Sequence, residues 1–294
     1  MAAIEVNGTA LEYTERGSGE PVVFVHGGLN DLRAWKDQLP AFASKYRTVA
    51  YSCRYYYPNE RPPAGIALTL DAHVDDLVGL LRELDLTPAH LIGASNGGFV
   101  CLLLARRMPE LVRTLVLADP PVLPILGLSV PPRPTQLLRL LLRDPRSGID
   151  VIKFGAKGIG PTIRAFKRGD DERGLEVFVT AALGRDDYAK LSADMRQQIQ
   201  DNLQPFKAQL RAGFPAFDED DAGRISAPTL LVNGERGASV LHRVTDKLEQ
   251  LLPRAERIHI RDTSHLMYAD DPAAFNQAVL TFLQRHSEPS LTST

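Results

Sequence analysis

Between Pro21 and Ala118 the chain repeats one alternation, a short apolar run followed by a stretch of helical spacing, and that repeat leaves few folds open to it. Pro21-Val22-Val23-Phe24-Val25 reads as a buried strand ending in His26-Gly27-Gly28. A helix is expected from about Leu32 to Ser44, and Thr48-Val49-Ala50-Tyr51-Ser52 reads as a second strand. Thr69 or Asp71 caps a helix whose apolar residues, Val74, Leu77, Leu80, Leu81 and Leu84, recur at three- and four-residue spacing. The strand His90-Leu91-Ile92-Gly93-Ala94, a helix from Gly98 to Arg107 and a strand from Arg113 to Ala118 complete the run. Strands joined through helices run parallel, so the expected class is α/β with a doubly wound, mostly parallel sheet. Ligands in such sheets lie beyond the carboxyl ends of the strands, which directs attention to the loops after Val25, Ala94 and Ala118.

Outside that run the pattern differs. Alternation in Leu11–Arg16 and the turn residues Gly17-Ser18-Gly19 predict an N-terminal hairpin edge leading into Pro21–Val25. Proline is frequent from Pro120 to Pro134, and the next ~80 residues carry helical periodicity without a convincing strand. Residues 121–222 are therefore expected to be an inserted helical cap, with 1–120 and 223–286 as the core. Strand patterns return at Ala227–Gly234 and Arg257–Ile260, with helices near Val240–Leu252 and Pro272–Arg285, and a polar tail over 287–294 is expected to fray.

Composition narrows the partners. Apolar residues at 44% and charged residues at 24% suit a globular chain, and a formal net charge of −2 supplies no basic footprint for nucleic acid. No apolar run approaches the ~20 residues that span a bilayer, and Met1-Ala2-Ala3-Ile4-Glu5-Val6 lacks the features of a signal peptide. A cytoplasmic protein without a membrane partner, monomeric or homodimeric, is expected. Cys53 and Cys101 make neither a disulfide framework nor a metal-ligand set.

Gly93-Ala94-Ser95-Asn96-Gly97 satisfies G-x-S-x-G at a strand-to-helix junction. The five residues alone would also suit a helix-capping turn, but in this position the glycines relieve a sharp turn that holds the Ser95 hydroxyl above the sheet, as a nucleophile requires. Serine needs an imidazole to take its proton, and His265 lies in the loop between the last strand and the last helix. His73 and His242 fall in helices, His90 and His259 in strands and His286 near the tail, while His26 suits a role in holding its own loop. The N–H groups of Gly28 and Asn96 are the candidate donors to an oxyanion.

From Val25-His26-Gly27-Gly28 through Ser95 to Ser264-His265 the chain resembles the α/β-hydrolase superfamily, in particular its serine esterase and lactonase branch with a helical cap. The resemblance covers nearly everything from Glu5 to Arg285 and implies the order nucleophile, acid, histidine, two backbone oxyanion donors and a cap after the sixth strand. Many members carry the acid in a G-x-x-D pattern, whereas this chain reads Gly234-Glu235-Arg236-Gly237. A second arrangement in the superfamily places the acid directly after the strand that follows the nucleophile helix, here Asp119. Asp119 before Pro-Pro is also a sensible turn residue, so Glu235 stays open as the alternative acid.

The stretch Ser52-Cys53-Arg54-Tyr55-Tyr56-Tyr57-Pro58-Asn59 departs from the superfamily's D-x-R-G-x-G, keeping only Arg54 in register. Tyr55, Tyr56 and Trp35 are candidate walls of a substrate pocket, each with a plainer reading as packing. Similar folds that open epoxides or remove halide use an aspartate nucleophile, so Ser95 points elsewhere. The expected activity is that of a serine hydrolase cleaving a small-molecule carboxylic ester or lactone through an acyl-enzyme, with no metal or organic cofactor. A hydrolase-like ligand receptor, or a cofactor-free lyase, cyclase or oxygenase, is the alternative on the same fold.

Overall fold

Strands and helices alternate through a computed structural model that describes residues 1–183, 188 and 191–287. The first half runs β1 (Ala2–Val6), β2 (Thr9–Arg16), β3 (Pro21–Val25), α1 (Gln38–Phe42), β4 (Arg47–Tyr51), α2 (Leu70–Glu83), β5 (Ala89–Ala94), α3 (Asn96–Arg107) and β6 (Val112–Ala118). Among the described residues α4 (Pro134–Arg143), α5 (Pro145–Phe154), α6 (Gly160–Lys167), α7 (Asp171–Leu183), α8 (Ala193–Asp201) and α9 (Leu203–Ala212) follow. The chain then passes through α10 (Glu219–Gly223), β7 (Thr229–Gly234), α11 (Ser239–Leu251), β8 (Ala255–Ile260), α12 (Met267–Asp270) and α13 (Pro272–His286).

Among the described residues the strands form one eight-stranded sheet in the order β1-β2-β4-β3-β5-β6-β7-β8. β2 runs antiparallel to β1 and β4, and every other pair is parallel. Because side chains alternate across a strand, the sheet sorts its residues into two cores. Val23, Val25, Val49, Leu91, Leu115 and Leu231 pack with α2, α3 and α11 on one face. Phe24, Ala50, Ile92, Val116, Leu230 and Val232 pack with α1 and α13 on the other. Strand order reverses at β3, between β4 and β5, so the loops after β3 and β5 part there and leave the crevice in which such sheets bind ligands. Local capping agrees with the sequence, with Thr69 Oγ1 accepting from Ala72 N–H at 3.2 Å and Asp271 Oδ1 from Ala274 N–H at 2.9 Å.

Three expectations need correction or limiting. The N-terminal hairpin closes at Asn7-Gly8, both with positive φ (48° and 70°), and pairs β1 with β2; the second neighbour of β2 is β4, not β3. Gly17 passes against the loop before β4, where a Cβ would sit 2.3 Å from Tyr46 O, so that turn carries the chain across the sheet edge and closes no hairpin. The single helix from Leu32 to Ser44 is instead a 3₁₀ turn, Leu32–Trp35, followed by α1. Continuous helix would put Pro40 in its interior, without an N–H and against the carbonyl four residues back, whereas the break leaves Pro40 in a first turn. Of the tail, Ser287 hydrogen-bonds Leu283 O, and 288–294 lie outside the described residues. No described helix is long and apolar enough to cross a membrane.

Candidate active site

The turn after β5 is forced by its neighbours. Ser95 sits at φ 51°, ψ −123°, a conformation rare for a residue with a side chain, and its N–H donates to Ala118 O at 2.8 Å. A Cβ on Gly93 would lie 2.5 Å from Gly97 O, and one on Gly97 would lie 2.2 Å from Val25 O, so neither position admits a side chain. Ala94 pairs with Ala118 in the sheet, which leaves Ser95 and Asp119 side by side past the ends of adjacent strands.

Asp119 is fully buried at φ 45°, tied to the sheet by its N–H to Val232 O at 3.0 Å. Its Oδ2 accepts from His265 Nδ1 at 3.1 Å and its Oδ1 from Asn233 Nδ2 at 2.5 Å. Asn233 is held in turn by Arg257 Nε, 2.7 Å from its Oδ1, and by Thr245 Oγ1 at 3.0 Å. The carboxylate thus has one oxygen for the imidazole and one for a fixed amide. With Nδ1–H given to Asp119, Nε2 of His265 carries the lone pair that a serine proton needs. Among the described residues no hydrogen bond joins Ser95 Oγ to the ring; in unliganded sites such bonds are commonly long and tighten around substrate.

Of the two candidate acids the structure brings only Asp119 to His265. Glu235 is exposed and its Oε2 accepts from Asp262 N–H at 3.0 Å, capping the turn after β8. Gly237, where the G-x-x-D pattern would hold its aspartate, complements this: a Cβ there would lie 3.1 Å from Asp119 Oδ2. The space of one carboxylate is already taken by the other.

Opposite Ser95, Gly27 approaches so closely that a Cβ on it would be 3.2 Å from Ser95 Cβ. A Cβ on Gly28 would be 2.7 Å from Asn96 Nδ2 and 3.2 Å from Phe206 Cδ2, so the Gly28 backbone and Asn96 face each other across a narrow cleft. Asn96 opens α3, where first-turn N–H groups have no intrahelical acceptor and the helix dipole favours negative charge. His26 holds the loop as expected, donating from Nδ1 to Gly27 O at 2.8 Å and accepting at Nε2 from Cys53 N–H at 2.9 Å. Burial lowers its pKa and keeps the ring neutral, as the two bonds require.

The three aromatic candidates separate. Tyr56 is buried, lines the cavity with Gly28, Asn96 and His73, and reaches Gln209 Oε1 from its hydroxyl at 3.2 Å. Tyr55 turns back at φ 69° beside Arg54, whose guanidinium grips Asp76 at 2.6 and 2.8 Å, and it lies away from the cavity. Trp35 is a correction: it is fully buried between Phe24 and Tyr268 under the sheet, because the 3₁₀ turn aims it at the α13 side.

Several polar residues carry no obvious signal in the sequence. Gln209 Oε1 accepts from Asn96 Nδ2 at 2.6 Å, pinning α9 over the cleft. Asp31, fully buried, takes Arg33 Nη2 at 2.7 Å, Gln198 Nε2 at 3.1 Å and Asn202 Nδ2 at 2.7 Å, joining the loop after β3 to α8 and the start of α9. Burial alone would raise the Asp31 pKa, but the bonds from Arg33 and Asn202 outweigh it and lower it. Asn202 Oδ1 also accepts Tyr57 N–H at 2.8 Å. Asn202→Ala strands these groups and is expected to cost about 1–3 kcal/mol in urea unfolding; an unchanged midpoint would show the junction to be dispensable. The legible signal for Asn233 was an amide closing the apolar run Thr229-Leu230-Leu231-Val232.

The sequence profile of the alpha/beta hydrolase fold family matches residues 20–272. The chain belongs to the α/β-hydrolase fold family. Among curated relatives, this α/β hydrolase is similar to bifunctional epoxide hydrolase 2 of Sus scrofa, 26% identical over 304 aligned residues that cover 94% of this chain and 54% of that protein. It spans about half the length of that relative and of the Rattus norvegicus and Mus musculus proteins of the same name. A thermophilic esterase from Thermogutta terrifontis superposes with a TM-score of 0.70 at 20% identity, over 98% of this chain and 100% of that one. The enol-lactonase from Burkholderia xenovorans LB400 gives 0.70 at 19% identity, over 96% and 100%. Likeness at such identities establishes the shared fold alone.

Proposed function

We propose that this α/β hydrolase cleaves a carboxylic ester or lactone through a serine acyl-enzyme. The observation that carries the reading is the His265 Nδ1 bond to buried Asp119 beside the strained Ser95 turn. In the proposed reaction His265 Nε2 takes the Ser95 proton as Oγ attacks the acyl carbon. The oxyanion accepts from the Gly28 and Asn96 N–H groups, the C–O bond breaks, and His265 returns the proton to the leaving alkoxide. Water then repeats the attack on the acyl-enzyme and frees Ser95. In a lactone the leaving alcohol stays tethered to the acyl group.

Serine at position 95 weighs against epoxide opening, because attack on an epoxide would leave an ether with no carbonyl for water to attack. Residues 121–222 serve as a cap in this reading, supported by the bonds from Gln198, Asn202 and Gln209 to the loops around the cleft. Phe206 beside Gly28 would offer an apolar wall to the acyl chain.

A fluorophosphonate probe tests for the activated serine: wild type is expected to label and Ser95→Ala is not. A panel of short and long acyl esters, lactones and thioesters then identifies the bond cleaved. Absence of labelling in wild type would remove the nucleophile reading, and labelling without turnover on any member of the panel would favour a ligand receptor.

A further inference from the structure

The helical hairpin of α4 and α5 leaves large aliphatic side chains in solvent. Leu142 is 78% exposed, Leu138 58%, Ile149 45% and Ile152 41%. Their placement is systematic. Leu140 and Val151 are buried against Ala238, Val240 and Leu241 of the segment that opens α11, and Leu141 meets Gly148 where the two helices touch. At 100° per residue, Leu138 and Leu142 lie beyond Leu141 on the side away from Leu140, and Ile149 lies likewise beyond Gly148 away from Val151. The exposed aliphatics therefore straddle the seam between the helices on one outward face.

The hairpin is also basic. Residues 133–157 hold six arginines and lysines against two acids, in a chain of formal net charge −2. Both acids are engaged, Asp144 in capping Ser147 N–H and Asp150 in an ion pair with Arg243 at 3.1 Å. Arg139, Arg146, Lys153 and Lys157 are exposed and in no salt bridge among the described residues.

We propose that the α4–α5 hairpin docks the protein on an anionic phospholipid surface, its leucines and isoleucines entering the acyl boundary and its basic residues meeting the phosphate headgroups. Apolar residues bordered by cations match both layers of such a surface. A second copy of the chain fits less well, because a two-fold interface would set the same basic hairpin against itself. The lack of a spanning apolar run bears on crossing a bilayer and not on lying on one, so the expectation of no membrane partner gives way here. Docking stands independently of the reaction assigned to Ser95. Its consequence for that site is position: the hairpin rests on the segment that follows Gly237, itself the neighbour of Asp119.

Co-sedimentation with phosphatidylcholine vesicles containing about one-third phosphatidylglycerol tests the proposal. Wild type is expected to partition onto them at least ~10-fold more strongly than onto pure phosphatidylcholine, and to be released as salt is raised. Leu138→Ser/Leu142→Ser and, separately, Arg139→Gln/Lys153→Gln should each lower partitioning ~10-fold or more with no change in the circular dichroism melt, since all four side chains are exposed. Equal affinity for neutral and anionic vesicles, or full binding by either double variant, would overturn the proposal. So would sedimentation velocity showing a wild-type dimer that Leu138→Ser/Leu142→Ser turns into a monomer, since the covering partner would then be a second copy.

Discussion

Ser95→Ala is expected to lower turnover about 10⁶-fold and Asp119→Asn about 10⁴-fold, while Glu235→Gln leaves it unchanged. The serine loss is the larger because no other group in the cleft replaces the attacking oxygen. The asparagine effect follows from one hydrogen bond. His265 Nδ1 faces Asp119 Oδ2 at 3.1 Å, and an amide NH₂ turned to that side would present a donor to Nδ1. The ring would then carry its proton on Nε2 and could not accept one from Ser95. A substituted amide that kept its oxygen toward Nδ1 would retain the tautomer but lose the negative charge that stabilises imidazolium. Asn233 already donates to the other oxygen, so that second orientation would set two amide NH₂ groups against each other, and the first requires no such clash. Comparing kcat for Asp119→Asn, Asn233→Ala and the double variant would show whether the two residues act as a unit. Steady-state kcat on whichever ester the panel selects is the measurement. Near-normal turnover in Asp119→Asn with loss in Glu235→Gln would reverse the assignment of the acid.

The second large effect concerns acid. Unfolding free energy is expected to fall by at least about 4 kcal/mol between pH 7 and pH 5, about 2 kcal/mol each through buried His73 and His90, with buried His26, also lowered by burial, acting in the same direction. Burial pushes His73 down to about 3, with the neighbouring His26 and Arg54 adding to it, and neither ring nitrogen has a hydrogen-bond partner among the described residues. Burial likewise lowers His90 to about 4 against the opposing pull of Glu20. Each folded pKa lies below the ordinary value of about 6.5, so the unfolded chain binds the proton first as pH falls. The stability is therefore whole above about pH 6.5 and is lost progressively toward about 4 for His90 and about 3 for His73, about 2 kcal/mol each by pH 5. Asp31 does not blur this window, because its lowered pKa gives stability that is lost only below the ordinary aspartate value of about 3.9. Urea unfolding at the two pH values checks the slope, and His73→Leu should remove about 2 kcal/mol of the fall. A free energy that stays level from pH 7 to pH 5 would rule the mechanism out.

What could be read in advance was local. Pro21–Val25 and His90–Ala94 fall within a residue of β3 and β5, because a run of apolar residues bounded by turn residues is a property of adjacent positions. The Ser95 turn was legible for the same reason, since Gly93 and Gly97 make room within five residues. Asn7-Gly8 carried the two-residue hairpin signature equally plainly, yet Gly17-Ser18-Gly19 competes with it in composition, and only the crossing of the sheet edge separates them. Trp35 shows the limit from the other side: an aromatic at the start of a helix faces pocket or core according to how far the helix runs before Pro40.

Periodicity and backbone sterics act between neighbours in the chain, so the parallel sheet, the strained turn at Ser95 and the histidine loop were already written in the order of the residues. The choice of acid was not. Asp119 and Glu235 both follow strands, and which of them meets His265 depends on where two loops lie, one spent on Asp262 N–H and the other buried beside the ring. Asn233, 114 positions from Asp119, Gln209, 113 from Asn96, and the leucines outside the α4–α5 seam have their meaning through neighbours in space, which packing supplies and chain order does not.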